Sequence, residues 1–273
     1  MAVTEKAVIL ARGLGTRMRR ADASAHLDAV QARVADNGMK AMIPVGTGRP
    51  FLDHALSSLA DAGITQVCLV IGPEHDAIRS YYGALPMRRL QVSFATQPTA
   101  NGTAGAVSAA KAFAGADTVL VMNGDNFYPV DACRELAQLG ASGTVGFDLH
   151  GLMAGSNIPE ERVRQFALLQ RDASGFLAGI IEKPDLATYE SLLAHSMISM
   201  NLWSFTPAIY EACRRVTPSV RGELELQDAV RIAMTELGER FRVLGSAAGV
   251  LDLSTRGDIE SVAGVLRGQL VDL

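Results

Sequence analysis

The sequence has few cysteines, no excess of positive charge and no long apolar segment. Its three cysteines lie far apart and form neither a CxxC pair nor a disulfide framework, which favours a reducing environment. The net charge of −4 argues against general binding to nucleic acid, because such binding depends on clustered cations. No stretch approaches the ~20 apolar residues that span a bilayer, and the N-terminus lacks a signal-peptide pattern. We therefore expect a cytoplasmic protein that binds neither nucleic acid nor membranes.

The first half of the chain alternates strand-like and helical patterns. With 273 residues, of which 48% are hydrophobic, the chain is long enough to bury a large core. Strand-like apolar runs occupy residues 3–10, 66–71, 90–96 and 118–122, and apolar residues at helical spacing occupy 50–62, 74–82 and 103–113. This alternation predicts βαβ units and a mostly parallel sheet.

Beyond residue 130 the pattern changes to one with more strands. It predicts strands at 144–149, 163–169, 177–181 and 197–205, and helices at 131–138, 207–216, 223–237 and 257–266. We therefore expect a single domain over residues 1–273. Its nucleotide-binding half covers residues 1–130, and a substrate half with a mixed sheet covers 131–273.

A glycine-rich loop follows the first predicted strand, in the sequence ILARGLGTRMRR (residues 9–20). Gly13 and Gly15 allow the backbone to approach a ligand closely, and their N–H groups can form an anion site. Arg17 adds a fork of donors that matches phosphate oxygens. The loop lacks the GKS or GKT of a P-loop, and Met18 stands where a dinucleotide-binding fingerprint has its third glycine. The loop therefore predicts a phosphate site of another class.

Residues 22–36 look like an insertion after this loop. Leu27, Val30 and Val34 lie at i, i+3 and i+7, which predicts a short amphipathic helix. Two interpretations stay open, a surface excursion and a mobile lid over the site.

The segment LARGLGTRM (residues 10–18) resembles the signature of the sugar-1-phosphate nucleotidylyltransferases, such as glucose-1-phosphate thymidylyl- and uridylyltransferases. Further motifs similar to that family's follow in order: KAMIPV (40–45), RPFL (49–52), QP with GTAGA (97–106), NGDN (123–126), EKP (182–184), MNLWSF (200–205) and LDLST (251–255). The matches cover nearly the whole chain. The resemblance implies a Rossmann-like GT-A nucleotidyltransferase fold of the α/β class, with a mixed, mostly parallel sheet flanked by helices.

The resemblance also implies a reaction, in which a sugar 1-phosphate attacks the α-phosphorus of a nucleoside triphosphate (NTP). The products would be a nucleotide-sugar and pyrophosphate. Arg17 and Lys40 would be catalytic, because such a displacement needs orientation and compensation of negative charge more than it needs a general base. Residues expected to bind the nucleotide are Leu10, Ala11, Gly13, Gly15, Thr16, Gln97, Gly102 and Thr103. Residues expected to bind the sugar phosphate are Gly124, Glu182, Lys183 and Asn201.

Two aspartates are expected to hold Mg²⁺ as the cofactor. Asp125 follows the apolar run TVLVM, at the carboxyl end of a predicted strand, where open α/β sheets bind ligands. Asp252 follows the shorter run GVL. Carboxylate oxygens are the hard ligands that Mg²⁺ prefers. Ser254 departs from the family pattern, which has a glycine at this position.

Arg12 is the other departure, since the family has alanine or glycine there. A long cation at this position could crowd the base or ribose, or turn outward and add charge near the phosphates. Glu223 and Glu225 are interpreted as capping a helix through its dipole. The carboxamide of Gln97 offers both a donor and an acceptor, so it restricts the base without naming it.

Other functions stay open at this point. The acceptor could be another small phosphate such as phosphocholine, or the protein could be a sensor of nucleotides or sugar phosphates without catalysis. An NAD-dependent dehydrogenase is least favoured, because no acidic residue follows a second strand at the required spacing. The resemblance allows a homo-oligomer, and the absence of hexapeptide repeats predicts no appended β-helix domain.

Overall fold

The computed structural model describes residues 3–273. Its strands are β1 (Lys6–Leu10), β2 (Pro44–Val45), β3 (Arg49–Pro50), β4 (Gln66–Ile71), β5 (Gln91–Thr96), β6 (Val119–Asn123), β7 (Asn126–Phe127), β8 (Gly143–Phe147), β9 (Leu168–Arg171), β10 (Leu177–Ile181), β11 (Ser196–Phe205), β12 (Arg242–Ser246) and β13 (Leu251–Asp252). Its helices are α1 (Thr16–Arg19), α2 (Ala29–Asp36), α3 (Phe51–Asp61), α4 (Asp76–Ala84), α5 (Thr103–Ala109), α6 (Lys111–Ala114), α7 (Val130–Leu139), α8 (Leu149–Gly155), α9 (Glu160–Val163), α10 (Leu186–Leu192), α11 (Ala208–Arg215), α12 (Leu226–Glu236) and α13 (Asp258–Leu266), with short 3₁₀ turns at Lys40–Met42 and Leu193–His195.

Nine of these strands form one mixed sheet. In its first half β5, β4, β1 and β6 lie side by side and are all parallel. In its second half β11 pairs antiparallel with β6, β8 and β9. The predicted α/β fold with a mixed sheet is confirmed, and every antiparallel pair of this sheet includes at least one strand from beyond the predicted midpoint. The division of the domain into halves by ligand stays a prediction.

The long strand β11 has two different partners along one edge. Its first residues pair with β9 and its last residues with β6, while β8 runs along the opposite edge. The register of the β8 pairing shifts between Ser199 and Trp203. Asn201 lies within this irregularity, between the segment that pairs with β9 and the segment that pairs with β6.

Helices cover both faces of the sheet. Ala7 and Ile9 of β1 pack into one apolar cluster and Val8 into the other, as expected for a strand whose side chains alternate between faces. The apolar side of α3 packs into the same cluster as Ala7 and Ile9, and its residues Leu52, Leu56 and Leu59 are 0% exposed. A strand buried on both sides explains why β1 and β4 read as continuous apolar runs.

The inserted segment packs into a third apolar cluster. The predicted amphipathic helix is confirmed as α2, and Asp28 and Gln31 form a reciprocal capping box at its start. Ala35 is fully buried, and Leu27 and Val34 pack against the same cluster. Val30 is 46% exposed on the opposite side. The helix thus contributes to a core that it shares with Met18, Phe51, Leu251, Leu253, Ile259 and other residues.

Several predicted element boundaries are wrong. The strand predicted at 163–169 starts only at Leu168, because Pro159 and two acidic residues begin helix α9 just before it. The strand predicted at 144–149 ends at Phe147, because the carboxylate of Asp148 accepts from Gly151 N at 2.9 Å and caps α8. The helix predicted at 103–113 is broken at Ala110 into α5 and α6. In the described residues, no helix has the length and apolar character to cross a membrane.

Candidate active site

A cleft of about 480 Å³ lies at the carboxyl ends of the parallel strands. It brings together most of the predicted nucleotide residues and several others: Leu10, Ala11, Gly13, Thr16, Lys40, Gln97, Gly102, Thr103, Gly124 and Asp125 all line it. Its lining does not include Gly15, Arg17, Asp252, Glu182, Lys183 or Asn201. The cleft is therefore built from the predicted nucleotide half, with the predicted catalytic Lys40 at its wall.

The glycine loop (residues 12–16) is held against the end of the inserted segment. Gly15 adopts φ +61°, in the left-handed region, and a Cβ at this position would lie 2.3 Å from Gly38 O. Gly38 also has positive φ, and its own Cβ would meet Leu14 O at 2.8 Å. Gly13, by contrast, has room, since the nearest atom to its Cβ position is Lys40 Cε at 3.8 Å. Gly15 is thus required for the backbone, whereas Gly13 leaves open space beside Lys40.

Lys40 and Asp125 form a direct ion pair in the wall of the cleft, with side-chain exposures of 15% and 24%. Burial alone would raise the pKa of Asp125, but the Lys40 ammonium and, more weakly, the Arg17 guanidinium hold it below its usual range. Arg17 itself is exposed on α1, outside the lining of the cleft. The two residues predicted to be catalytic therefore both act on the Asp125 carboxylate, Lys40 by direct contact and Arg17 through its more distant charge.

Gln97 lies at the opposite end of the cleft and is only 4% exposed. Its Nε2 donates to Asn101 Oδ1 at 2.9 Å and to Gly102 O at 3.0 Å. Both donors of the amide are thereby used within the loop, and Oε1 is left as an acceptor. Gly102 has φ +106°, and a Cβ there would lie 2.5 Å from Leu224 O, so only glycine fits at this contact.

The segment before α12 meets this end of the cleft from the second half of the chain. The hydroxyl of Thr103 accepts from Leu226 N at 2.9 Å and caps α12. Glu225 is the N-cap residue of α12, as the predicted position near the helix start requires, but its side chain makes no cap hydrogen bond and pairs with Arg221 instead. Glu223 lines the cleft. A threonine predicted to touch the nucleotide therefore also joins the two halves of the domain.

Arg12 is folded into the wall of the cleft and does not turn outward. Its side chain is 10% exposed, and Nε lies 3.4 Å from the Glu74 carboxylate. Its Nη1 is buried without a hydrogen-bond partner. The neighbouring His75 also lines the cleft, and its Nδ1 accepts from Gly72 N at 3.2 Å. Arg12 thus adds a buried cation with unused donor capacity beside the glycine loop.

Asp252 lies next to Asp125 through the short β7–β13 pair. Asp252 is opposite Asn126 in this pair, and Leu253 N donates to Asp125 O at 2.8 Å. Burial, and then the negative charge of Asp125, raise the pKa of Asp252 to about 6, against the effect of Arg162. The carboxylates of Asp125 and Asp252 thus repel each other at neighbouring positions of the β7–β13 pairing, where burial weakens the screening by solvent.

Four side chains hold Asp252 in place, and together with it they form what we call the Asp252 corner. Asn126 Nδ2 and Ser254 Oγ donate to Oδ1 at 3.2 and 3.0 Å, and Arg162 pairs with Oδ2 at 3.2 Å. The amide of Asn157 clamps the backbone, accepting from Asp252 N at 2.8 Å and donating to Asp252 O at 2.9 Å. Ser254, the departure from the family glycine, therefore binds the carboxylate itself.

The donor set of Asp125 and Asp252 fits a hard divalent cation. Both residues offer carboxylate oxygens, and their mutual repulsion is what a shared cation would relieve. No third histidine, cysteine or acidic side chain joins them within the part of the chain that the structure describes. Remaining coordination positions would thus be left to water and phosphate oxygens, as is usual for Mg²⁺.

Of the predicted sugar-phosphate residues, Gly124 lines the cleft, whereas Glu182, Lys183 and Asn201 lie outside its lining. Lys183 at φ +42° and Asn201 at φ +57° are the only non-glycine residues with positive φ among residues 3–273. Asn201 Oδ1 accepts from Gln227 Nε2 at 3.1 Å. Glu182 is exposed, yet desolvation by its surroundings raises the pKa of its carboxyl.

Sequence reasoning missed Arg162 and Asn157 of the Asp252 corner. Both lie between the strands predicted at 144–149 and 163–169, and both contact Asp252 from at least ninety positions away. No local pattern marks such a contact. Arg12 could be singled out from the sequence, because the family has alanine or glycine at its position. Its pairing with Glu74 could not be predicted in this way.

Comparison with known proteins agrees with this geometry. The family model described as "Nucleotidyl transferase" matches residues 6–255. A glucose-1-phosphate thymidylyltransferase of Streptomyces griseus is 32% identical over 229 residues, covering 83% of this chain and 56% of that protein. A low-salt glycan biosynthesis nucleotidyltransferase of Haloferax volcanii is 28% identical over 228 residues, with the same two coverages. The chain thus spans little more than half the length of these curated relatives.

A solved structure confirms the predicted nucleotidyltransferase-type fold. The UDP-glucose pyrophosphorylase crystallised with UDP-glucose superposes with a TM-score of 0.72, covering 96% of this chain and 98% of that one. Sequence identity between the two is 16%. At that identity the likeness concerns the fold alone.

Proposed function

The chain belongs to the nucleotidyl transferase family, and on that premise we propose that it transfers a nucleoside monophosphate from an NTP to a sugar 1-phosphate. A phosphate oxygen of the sugar attacks the α-phosphorus, the bond from that phosphorus to the bridging oxygen breaks, and pyrophosphate leaves. The nucleophile is already anionic, so no general base is needed. The thymidylyltransferase relative, by its name, acts on glucose 1-phosphate.

One observation carries the proposal, the convergence of the glycine loop, Lys40 and Asp125 on a single cleft that ends at Gln97. Gly13 leaves space beside Lys40 where phosphate oxygens can approach the backbone. Lys40 and the amide of Gln97 line the same continuous cavity. A nucleotide, with a polyanionic end and a hydrogen-bonding base, has the chemistry that this cavity offers at its two ends.

Lys40 and Arg17 are proposed to compensate charge during the displacement. Lys40 is mostly buried and anchored by Asp125, so its ammonium is already oriented before substrate arrives. Arg17 lies exposed on α1, outside the lining of the cleft, and its proposed role requires its long side chain to extend toward the phosphates of a bound NTP. Gly124 packs against Leu10 and Ala11, its N–H donating to Leu10 O at 3.0 Å, and this fixed backbone is proposed to contact the incoming sugar phosphate.

Asp125 and Asp252 are the residues proposed to hold Mg²⁺. When bound, Mg²⁺ would neutralise phosphate charge and orient the triphosphate. The protein's own part is to keep the two carboxylates adjacent through β7 and β13 and to keep Asp125 ionised beside Lys40.

Base selection is proposed to rest on Gln97. With Nε2 bonded inside the loop, the group that remains is an acceptor, which favours a base edge that presents a donor. The imide N–H of a uracil or thymine, and the amino group of other bases, both satisfy it.

The sugar is proposed to contact Glu182, Lys183 and Asn201. Strained backbone is held at a cost of about 1–2 kcal/mol per residue and is concentrated at functional sites. Lys183 and Asn201 both carry it, and Asn201 does so where the edge of β11 changes from β9 to β6. This coincidence supports the assignment of the second half of the domain to the sugar phosphate.

A pyrophosphate-release screen tests the proposal. Five nucleoside triphosphates are combined with a panel of sugar 1-phosphates and Mg²⁺, and phosphocholine is included as a non-sugar acceptor. Turnover with one sugar 1-phosphate and loss of at least about 10²-fold in Asp125→Asn support it. If pyrophosphate were released only with phosphocholine, the acceptor would be phosphocholine and not a sugar 1-phosphate. If nucleotides bound without turnover for every pair, the proposed catalysis would be contradicted.

A further inference from the structure

Arg162 contacts the carboxylate of Asp252, one of the two predicted metal ligands. It lies in α9, is 16% exposed, and its Nη2 is 3.2 Å from Asp252 Oδ2. The same nitrogen lies 3.1 Å from Asp258 Oδ1, and Nη1 lies 3.3 Å from Asp258 Oδ2. One guanidinium is therefore shared between two buried carboxylates.

The carboxylate of Asp252 has no oxygen free of protein donors. Oδ1 accepts from Asn126 and Ser254, and Oδ2 is paired with Arg162. A divalent cation bound to Oδ2 would face a guanidinium on the same oxygen, and the two positive charges would repel each other. The cation and the Arg162–Asp252 contact therefore compete for one atom.

Arg162 has a second partner that can keep it in place. Asp258 is 8% exposed and also accepts from Ser254 N, Thr255 N and the Thr255 hydroxyl, so its position does not depend on Arg162. A guanidinium held by both oxygens of Asp258 needs only to give up one contact to release Asp252.

We propose that Arg162 is a positioning residue that holds Asp252 when no metal is bound and competes with the divalent cation for Oδ2. Metal binding shifts Arg162 fully onto Asp258 and frees Oδ2. Arg162 thus orients the carboxylate in the metal-free protein and weakens its affinity for the cation. The inference rests on the proposed function, from which it takes Asp252 as a metal ligand.

The test measures metal binding directly, without nucleotide or turnover. Free Mn²⁺ is followed by electron paramagnetic resonance as it is titrated into the full-length protein and into Arg162→Gln. We expect Arg162→Gln to bind Mn²⁺ at least about threefold more tightly, because it removes the competing cation. Arg164→Gln, which removes an exposed arginine of the same segment paired only with Glu160, should leave the affinity unchanged.

The direction of the change separates competition from simple support. If Arg162 only organised Asp252, Arg162→Gln would bind Mn²⁺ more weakly or equally, and either result would overturn the inference. Arg162→Lys keeps the charge and serves where the glutamine variant does not fold. Its affinity should stay within about twofold of the wild type, since a cation still competes for Oδ2. A gain as large as that expected for glutamine would overturn the inference too.

Asp252→Asn distinguishes failure of this inference from failure of the proposed function. Weaker Mn²⁺ binding in Asp252→Asn, without a gain in Arg162→Gln, would reject competition and keep the metal role. Unchanged binding in Asp252→Asn would reject the metal role of Asp252 itself, and the inference with it.

Discussion

The cleft and the Asp252 corner are built in different ways. The cleft is made largely of backbone, in loops where Gly15 and Gly102 adopt conformations and contacts that admit no side chain. The corner is made of side chains, in which Asn157 and Arg162 reach Asp252 from a distant part of the chain. Backbone loops at the ends of parallel strands follow from local sequence, whereas a side-chain network depends on how the whole chain is folded. Substitutions in each of the two regions test this contrast.

Lys40→Ala should cause the largest loss, because it removes the one ammonium buried in the wall of the cleft and leaves Asp125 without its partner. We expect turnover to fall about 10²–10³-fold, the scale of a lost preorganised charge. Steady-state pyrophosphate release measures it. Lys111→Ala, on the surface helix α6, is the control and should keep wild-type turnover. If turnover of Lys40→Ala stayed within a few-fold of wild type, the proposal that this cleft is the catalytic site would be contradicted.

Gly15→Ala and Gly13→Ala sharpen the argument that the cleft is made of backbone. Gly15→Ala places a Cβ 2.3 Å from Gly38 O at positive φ, so we expect the free energy of unfolding to fall by more than about 2 kcal/mol. Gly13→Ala meets nothing closer than 3.8 Å and should keep its stability while weakening nucleotide binding. Chemical denaturation and nucleotide titration separate the two effects. Equal loss of stability in both variants would contradict the distinction.

Asn157→Ala tests the corner as a side-chain structure. It leaves the N–H and C=O of the buried Asp252 without partners, and we expect the free energy of unfolding to fall by about 1–3 kcal/mol. Asn37→Ala, at an exposed helix end, should change it by no more than about 0.5 kcal/mol. Urea denaturation compares them. If both substitutions changed the free energy of unfolding equally, the hydrogen bonds between Asn157 and Asp252 would not contribute to stability.

Arg12→Ala should have the smallest effect. Arg12 lines the cleft, and a shift of its side chain would let the buried, unpartnered Nη1 donate to a nucleotide there; a hydrogen bond from a charged group contributes about 1.5 kcal/mol. We expect KM for the NTP to rise about tenfold with kcat unchanged. Glu74→Ala, which frees the guanidinium, should not raise KM. An unchanged KM in Arg12→Ala would show that Arg12 serves only the loop of Glu74.

Sequence reasoning reached the parts of the molecule whose causes are local. The buried parallel strands and the glycine loop follow from apolar runs and from residues that tolerate positive φ, so β1, β4 and the cleft were found. The strand predicted to begin at Val163 begins at Leu168 instead, because Pro159 and the acidic residues after it start helix α9, which ends at Val163. Arg162 could not be found, since its partners are set by the fold and not by spacing.

Thr103 shows a second limit, which concerns residues with two tasks. Its position in a family motif indicated contact with the nucleotide, and it does line the cleft. Its hydroxyl nevertheless accepts from Leu226 N, a capping role that the sequence had assigned to Glu223 and Glu225. Local capping rules assume that the cap lies next to its helix, and here it comes from 123 positions away.

The contact between Gly15 and Gly38 makes the inserted segment a cassette. The chain leaves and returns to the active-site rim at two points that touch, so the segment between them has no gap to bridge and its length is set only by its own packing. Protein engineers could therefore exchange residues 20–26 for a longer or shorter loop, or for a fused reporter, provided that Leu27, Val34 and Ala35 still pack into the third apolar cluster.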